Sequence, residues 1–167
     1  MTLSSRFSKL LHRNTSQNIR IEEVHSEQAE TIAEIHGASF VHGWSENEFE
    51  RLLSDKNCFC DGLFLAKAKK PSGFILSRKI LDEAEILTVA MSPGLRGQKL
   101  SSPLLKKHLE TLAQIGVRIV HLEVDENNLA AIKLYEKKGF EVTGRRRGYY
   151  AQPDGSRTTA LTMSLTL

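Results

Sequence analysis

The stretch from Val89 to Leu105, VAMSPGLRGQKLSSPLL, has the residue types of an anion site. It reads as a strand, a tight turn at Pro93 and Gly94, a basic loop carrying Gly97, and then a helix. A helix start offers N–H groups without backbone partners and the positive end of the helix dipole. That combination suits phosphate. An ordinary strand-to-helix turn has the same outline, so the loop alone leaves both readings open. Further along, Glu123 stands near the end of VRIVHLEV and Tyr135 lies in NNLAAIKLYEKKGF. A carboxylate at a strand end can take a proton directly or through one water. A solvated strand carboxylate fits the position equally well. The Tyr135 phenol, with an ordinary pKa about 10, can give a proton, and it also suits a core position beside Ile132 and Leu134. Asn128 and Tyr135 fall two helical turns apart, on a side shared with Ala130 and Ala131.

These residues need elements to position them. IRIEEV (19–24) alternates as a strand, and Ser26 then looks like an N-cap for a helix whose face is Ala29, Ile32, Ala33, Ile35 and His36. In SENEFERLLS, Ser45 and Glu48 form a capping box for a second helix, with Trp44 as a hydrophobic anchor at its entry. Three strand candidates follow, 58–68, 73–79 and 83–91, joined by short turns as in an antiparallel meander. A helix over 100–115 carries Leu105, Leu109 and Leu112 as one stripe, with Pro103 in its first turn and Gly116 as its stop. In the strand 117–124, Arg118, Val120, Leu122 and Val124 supply a core face, while Val117, Ile119, His121 and Glu123 share the other. Asn127 or Asn128 caps a helix ending at Gly139, and strands 140–150 and 157–166 flank a QPDG turn. A strand–helix–strand crossover among antiparallel strands gives a mixed sheet of α+β character.

The chain has 167 residues, 40% of them apolar, which fits one domain with a real core. A net charge of +3 is too small to argue for nucleic acid. No apolar run approaches the roughly 20 residues of a membrane span. Cys58 and Cys60 would share a strand face and read as buried, reduced thiols, which places the chain in the cytoplasm. No His-rich or carboxylate cluster suggests a metal. Residues 1–18 hold no acid and read as a disordered basic tail, leaving 19–167 as the domain. Arg145, Arg146 and Arg147 read either as a solvated face or as a dock for a peptide or ribosomal protein.

From about Ile19 to the C-terminus the chain resembles the GNAT superfamily of acetyl-CoA-dependent N-acetyltransferases. The resemblance rests on LTVAMSPGLRGQKLSSPLL, which is similar to the family's fourth strand and acyl-CoA loop, and on LEVDENNLAAIKLYEKKGFEVTGRRRGYY. Together with Gly43-Trp44-Ser45, the second segment is most like the RimI-type enzymes, which acetylate protein N-termini, notably the N-terminal alanine of a small-subunit ribosomal protein. One departure stands out. The family loop has the form R-G-x-G-x-G/A, and here Lys99 and Ser101 occupy positions normally held by small residues. Glycine there permits positive φ and close approach to a pyrophosphate. Lys99 is expected in a helical or turn conformation, with its ammonium in reach of a phosphate.

The resemblance implies a mixed, mostly antiparallel seven-stranded sheet flanked by about four helices. It implies that the backbone of Val89, Ala90 and Met91 pairs with the pantetheine arm of acetyl-CoA, as an added strand would. Gly97, Gln98, Lys99, Leu100, Ser101 and Ser102 would hold the pyrophosphate, and Asn128 and Tyr135 would contact the cofactor. Glu123 would be the general base, Tyr135 the acid that protonates the leaving thiolate, and Trp44 and Tyr149 would line the acceptor-peptide cleft. With no cysteine near, direct attack by the amine is expected. The implied partners are acetyl-CoA and a protein N-terminus, with neither membrane nor nucleic acid. Two other readings stay open: acetylation of another small amine or of lysines, and acyl-CoA binding without catalysis.

Overall fold

The computed structural model describes residues 18–167; the basic tail read from the first residues lies almost wholly outside them. The chain runs β1 (Ile19–Glu23), a 3-10 turn (Ser26–Gln28), α1 (Ala29–Gly37), α2 (Glu46–Ser54), β2 (Cys58–Leu65), β3 (Gly73–Ile80) and β4 (Glu83–Met91). It continues with a second 3-10 turn (Pro93–Leu95), α3 (Ser101–Gln114), β5 (Ile119–Asp125), α4 (Leu129–Lys137), β6 (Glu141–Ala151) and β7 (Arg157–Thr166). The strands form one seven-stranded sheet in the order β1-β2-β3-β4-β5-β7-β6. Only β4 and β5 pair in parallel, because α3 is a crossover between them; every other neighbour is antiparallel. The expected α+β mixed sheet with four α-helices is therefore present.

Helix ends follow local chemistry. Ser45 Oγ accepts from the Glu48 N–H at 3.3 Å, and the Glu48 carboxylate accepts from the Ser45 N–H at 2.7 Å, so the expected capping box starts α2. Ser26 is not a cap. It opens the 3-10 turn, and the Gln28 side chain accepts from the His25 N–H at 2.8 Å instead. The third meander strand candidate is right in extent, whereas β2 stops at Leu65 rather than Ala68 and β5 starts at Ile119 rather than Val117.

The sheet buries both faces. On one, α3 lays Leu104, Leu105, Leu109 and Leu112 against Leu63, Ile75, Ile86, Val120 and Leu122. On the other, α1 and α2 cover Cys60, Phe74, Leu76 and Ala90 with Ile32, Ile35 and Phe49. Burying each such side chain contributes roughly 1.5–3 kcal/mol. Cys58 and Cys60 are free thiols on the second face, as their spacing required.

Candidate active site

β4 and β5 pair only from Glu83/Ile119 to Ile86/Leu122. Beyond that point they part. The cause lies on the opposite edge of β4, where Ser77 pairs with Ile86 but Leu76 pairs with Thr88. Leu87 is the extra residue of a β-bulge, and a bulge bends its strand and increases twist. Its cost is visible in Thr88, whose hydroxyl is buried without a hydrogen-bond partner. From Leu87 to Met91 the strand keeps β3 on one side and has no strand on the other. Val89, Ala90 and Met91 thus lie on an open edge whose N–H and C=O groups can pair with an extended ligand.

The edge leads directly into the loop. Gly97 has φ +76°, and Lys99 has φ +60°. The expectation of a helical or turn Lys99 fails: the lysine takes the left-handed conformation that a glycine would otherwise supply. α3 begins at Ser101 with Leu100 as its N-cap residue and no side-chain cap. Among the described residues, the N–H groups of Gly97, Lys99 and Leu100 find no backbone acceptor. The Leu100 side chain is buried in the core, so that residue can offer a ligand only its backbone. Donors without partners, two left-handed residues and an uncapped 14-residue helix fit a pyrophosphate. Gln98 Nε2 donates to Gly94 O at 2.9 Å and closes the loop on itself. Arg96, to which the sequence assigned no role, fixes it to the rest of the molecule. Its Nε donates to Met91 O at 3.3 Å, and its Nη2 donates to Ala38 O at 2.8 Å and Ser39 Oγ at 3.0 Å.

Glu123 lies on β5 opposite Thr162, one residue beyond the last β4–β5 pair and thus at the mouth of the opening. Alternation along β5 places it on the face away from α3, while Val120, Leu122 and Val124 enter the core as expected. It is not a lone solvated carboxylate. Arg146 Nη1 donates to Glu123 Oε1 at 2.6 Å, and the guanidinium lies over the Tyr149 ring at 4.1 Å from its centroid. The pair raises the pKa of the Arg146 guanidinium, chiefly through the hydrogen bond to Glu123. Arg145 makes a looser pair with Glu126 at 3.5 Å.

Tyr135 comes from α4 on the core side. It is the buried residue of that helix, at 7% exposure, with Phe140 edge-on at 5.7 Å. Burial first, and the nearby Tyr150 second, push its phenol up to about 12. Glu123 and Tyr135 thus approach from opposite faces of β5. Tyr150 links them. Burial pushes its own phenol to about 12, with further upward pressure from the Glu123, Tyr149 and Asp125 charges. Sequence reasoning chose Tyr149 and passed over Tyr150; Tyr149 is 42% exposed, while Tyr150 is half-buried and influences Tyr135 electrostatically. Gly148, at φ +62°, lies in the stretch where the register of β6 shifts against β7 between Arg146 and Tyr150. A glycine next to two tyrosines was the available signal for that irregularity.

Asn128 is the N-cap of α4, its side chain accepting from the Ala131 N–H at 3.2 Å. Trp44 is half-buried among α1 and α2. It stacks on His36 with centroids 4.8 Å apart, and its backbone N–H donates to His36 Nδ1 at 3.0 Å. Its aromatic partners are His36 and Phe49, and those of Tyr149 are Tyr150 and Arg146, so the structure does not join Trp44 and Tyr149 in one contact. A recess of about 520 Å³ around Ile80, Leu81, Glu83 and His121 lies at the other, paired end of β4, away from the opening. No cluster that could hold a metal ion occurs among the described residues. Nor does any of the described helices have the length and apolarity to cross a membrane.

Residues 29–140 match the model of the acetyltransferase (GNAT) family. Ribosomal protein bS18-alanine N-acetyltransferase of Escherichia coli K12 is 35% identical over 127 residues, 73% of this chain and 80% of that protein. The protein of the same name from Haemophilus ducreyi is 30% identical over 147 residues, covering 88% of this chain and 99% of its own. The crystal structure of the Escherichia coli ribosomal-protein-S18-alanine N-acetyltransferase superposes with a TM-score of 0.81 at 30% identity, covering 89% of this chain and 93% of that one. With its bulged β4, its parted strands and its left-handed loop before α3, this chain belongs to the acetyltransferase (GNAT) family, whose acetyl donor is acetyl-CoA.

Proposed function

We propose that the protein transfers the acetyl group of acetyl-CoA to the α-amino group of a protein N-terminus, and that the acceptor is the N-terminal alanine of ribosomal protein bS18. The reading is supported by one observation: β4 leaves β5 after the Ile86/Leu122 pair, so its edge from Leu87 to Met91 is free beside Glu123, the first β5 residue beyond that pair. Relatives named for this substrate align over most of the chain.

The open edge aligns the thioester, and a β4 N–H polarises its carbonyl oxygen. An α-amino group has a pKa of about 7.7–8.0 against about 10.4 for lysine, so an N-terminal acceptor needs little help to become nucleophilic. Its nitrogen attacks the carbonyl carbon; the C–N bond forms and the C–S bond breaks. Glu123 takes the proton lost by nitrogen, through one water, and Tyr135 O–H supplies a proton to the leaving sulfur. Exchange with solvent restores both groups. With its phenol raised to about 12, Tyr135 stays protonated throughout the working pH range. Gly97 to Ser102 bind the pyrophosphate, and Asn128 adds a contact beside its capping role. Trp44 and Tyr149 border the acceptor. The cytoplasm, where ribosomal proteins are made and cysteines stay reduced, is the setting.

The test is acetylation of peptides that begin with the bS18 sequence, followed by thiol release. Turnover should far exceed that with internal lysines or polyamines. Faster turnover on a non-peptide amine would replace the acceptor, and donor binding without thiol release would remove catalysis.

A further inference from the structure

The α3–sheet interface contains a polar trio that the chemistry above does not use. His108 lies on the apolar stripe of α3, between Leu104 and Leu112, and has no exposed surface. Its Nδ1 is 2.6 Å from Asp61 Oδ2 on β2, and its Nε2 is 2.7 Å from Ser77 Oγ on β3. In the tautomer that satisfies both contacts, Nδ1–H donates to the carboxylate and Nε2 accepts from the Ser77 hydroxyl. Both ring nitrogens are therefore engaged. The order Asp–His–Ser is that of a hydrolase triad, but Ser77 is fully buried and cannot meet a substrate. The trio must act on the fold.

Its location gives it a role. Ser77 is the β3 residue at the register shift that forces the β4 bulge, next to the last pair before β4 leaves β5. His108 is on the helix whose start carries the left-handed loop. Leucines pack this helix onto the sheet, and apolar contacts tolerate small sliding movements. Hydrogen bonds do not, since they weaken steeply with distance and angle. Two bonds from one ring, to adjacent strands, fix both the rotation of α3 and its position along its axis. We propose that Asp61, His108 and Ser77 are positioning residues that set the distance between the pyrophosphate loop and the open β4 edge. The two halves of acetyl-CoA then fit one rigid ruler. This rests on acetyl-CoA being the donor.

The experiment compares two donors, acetyl-CoA and S-acetylpantetheine, which lacks the nucleotide and its pyrophosphate. In His108→Leu, KM for acetyl-CoA should rise at least tenfold while KM for S-acetylpantetheine changes less than twofold and kcat at saturation holds. Asp61→Asn keeps an oxygen to accept from Nδ1–H and should behave as wild type. Ser77→Ala, a smaller change, should show the same split at about threefold, and it carries the test if His108→Leu does not fold. Equal rises for both donors would mean general loosening and overturn the proposal. So would a folded variant with neither KM changed, or Asp61→Asn matching His108→Leu. Wild-type protein that binds neither donor would instead sink the acetyl-donor reading.

Discussion

The two ends of the opening are built differently. At the proposed donor end the groups on offer belong to the backbone: the free edge of β4, the N–H groups around Gly97 and Lys99, and the uncapped start of α3. At the proposed acceptor end they are side chains brought from distant segments, Glu123 from β5 and Arg146, Tyr149 and Tyr150 from β6, with Tyr135 of α4 proposed for the leaving sulfur between the two ends. Backbone groups suit a ligand that never varies, because their positions follow from the fold. Side chains permit the acceptor to differ between relatives on one scaffold. A substitution at the acceptor end should therefore act on kcat, and one at the donor end on the KM of acetyl-CoA.

The sharpest attempt to break that division is Glu123→Gln, which keeps the shape and removes the base. General acid–base groups contribute typically 10²–10⁴-fold, so kcat should fall at least about 10²-fold with the acetyl-CoA KM nearly unchanged. Tyr135→Phe should cost a similar factor in kcat. Because the Tyr135 phenol is held near 12, the wild-type rate should rise as the acceptor amine loses its proton and show no fall from this tyrosine below about pH 11. A decline near pH 10 would assign the acid to another group.

Arg146→Met comes next. The guanidinium holds the Glu123 carboxylate at 2.6 Å and rests on Tyr149. Losing it leaves the base present but free to turn, and misplacement costs rate. We expect kcat to fall about tenfold, less than for Glu123→Gln, with little change in stability because the Arg146 side chain is exposed. A rate above wild type would mean that Arg146 restrains the base rather than aims it.

This division also marks what was legible in the sequence. The donor end is local: strand, loop and helix are contiguous from Val89 to Leu105, so one segment reveals it. The open edge was inferable from resemblance, but its cause, the bulge at Leu87, was not, since a bulge is a relation between two strands. At the acceptor end, Glu123 was placed on the proper strand face by alternation alone. Its partner Arg146 was hidden in a run of three arginines whose register against β7 shifts just beyond it. Periodicity cannot choose among adjacent arginines across such an irregularity. Tyr150 was missed for the same reason. His108 was overlooked although its spacing from Leu104 and Leu112 puts it on the buried face; what the sequence hides is its partners, Asp61 and Ser77, on the facing strands.

A further contrast lies in the support beneath Trp44. His36 is buried under Trp44 and accepts from its backbone N–H. Burial lowers its pKa to about 4, against about 6.5 in an unfolded chain. Below about pH 6.5 the unfolded chain takes up a proton that the folded one refuses. The stability contributed is complete above pH 6.5 and is lost progressively as the pH falls toward 4. The melting temperature should drop several degrees between pH 7 and pH 5, and a folded His36→Gln variant should show a flatter profile over that window. Identical profiles would place the acid sensitivity elsewhere.

The smallest effect tests the donor end where it departs from its family. Lys99 holds φ +60°, a conformation that costs an ordinary L-residue about 1–2 kcal/mol. Part of the gain from glycine is returned through its looser unfolded chain, about 0.4–1 kcal/mol. Lys99→Gly should thus stabilise by about 0.5 kcal/mol, a rise of one or two degrees in melting temperature. Lys99→Ala keeps the strained backbone and should not stabilise. Both variants lose the ammonium, so an equal rise of about threefold in the KM of acetyl-CoA would assign a phosphate contact to the side chain. If Lys99→Gly instead binds acetyl-CoA more tightly than Lys99→Ala by the same margin, the backbone conformation governs the site, and the charge is a by-product of the residue that happens to occupy it.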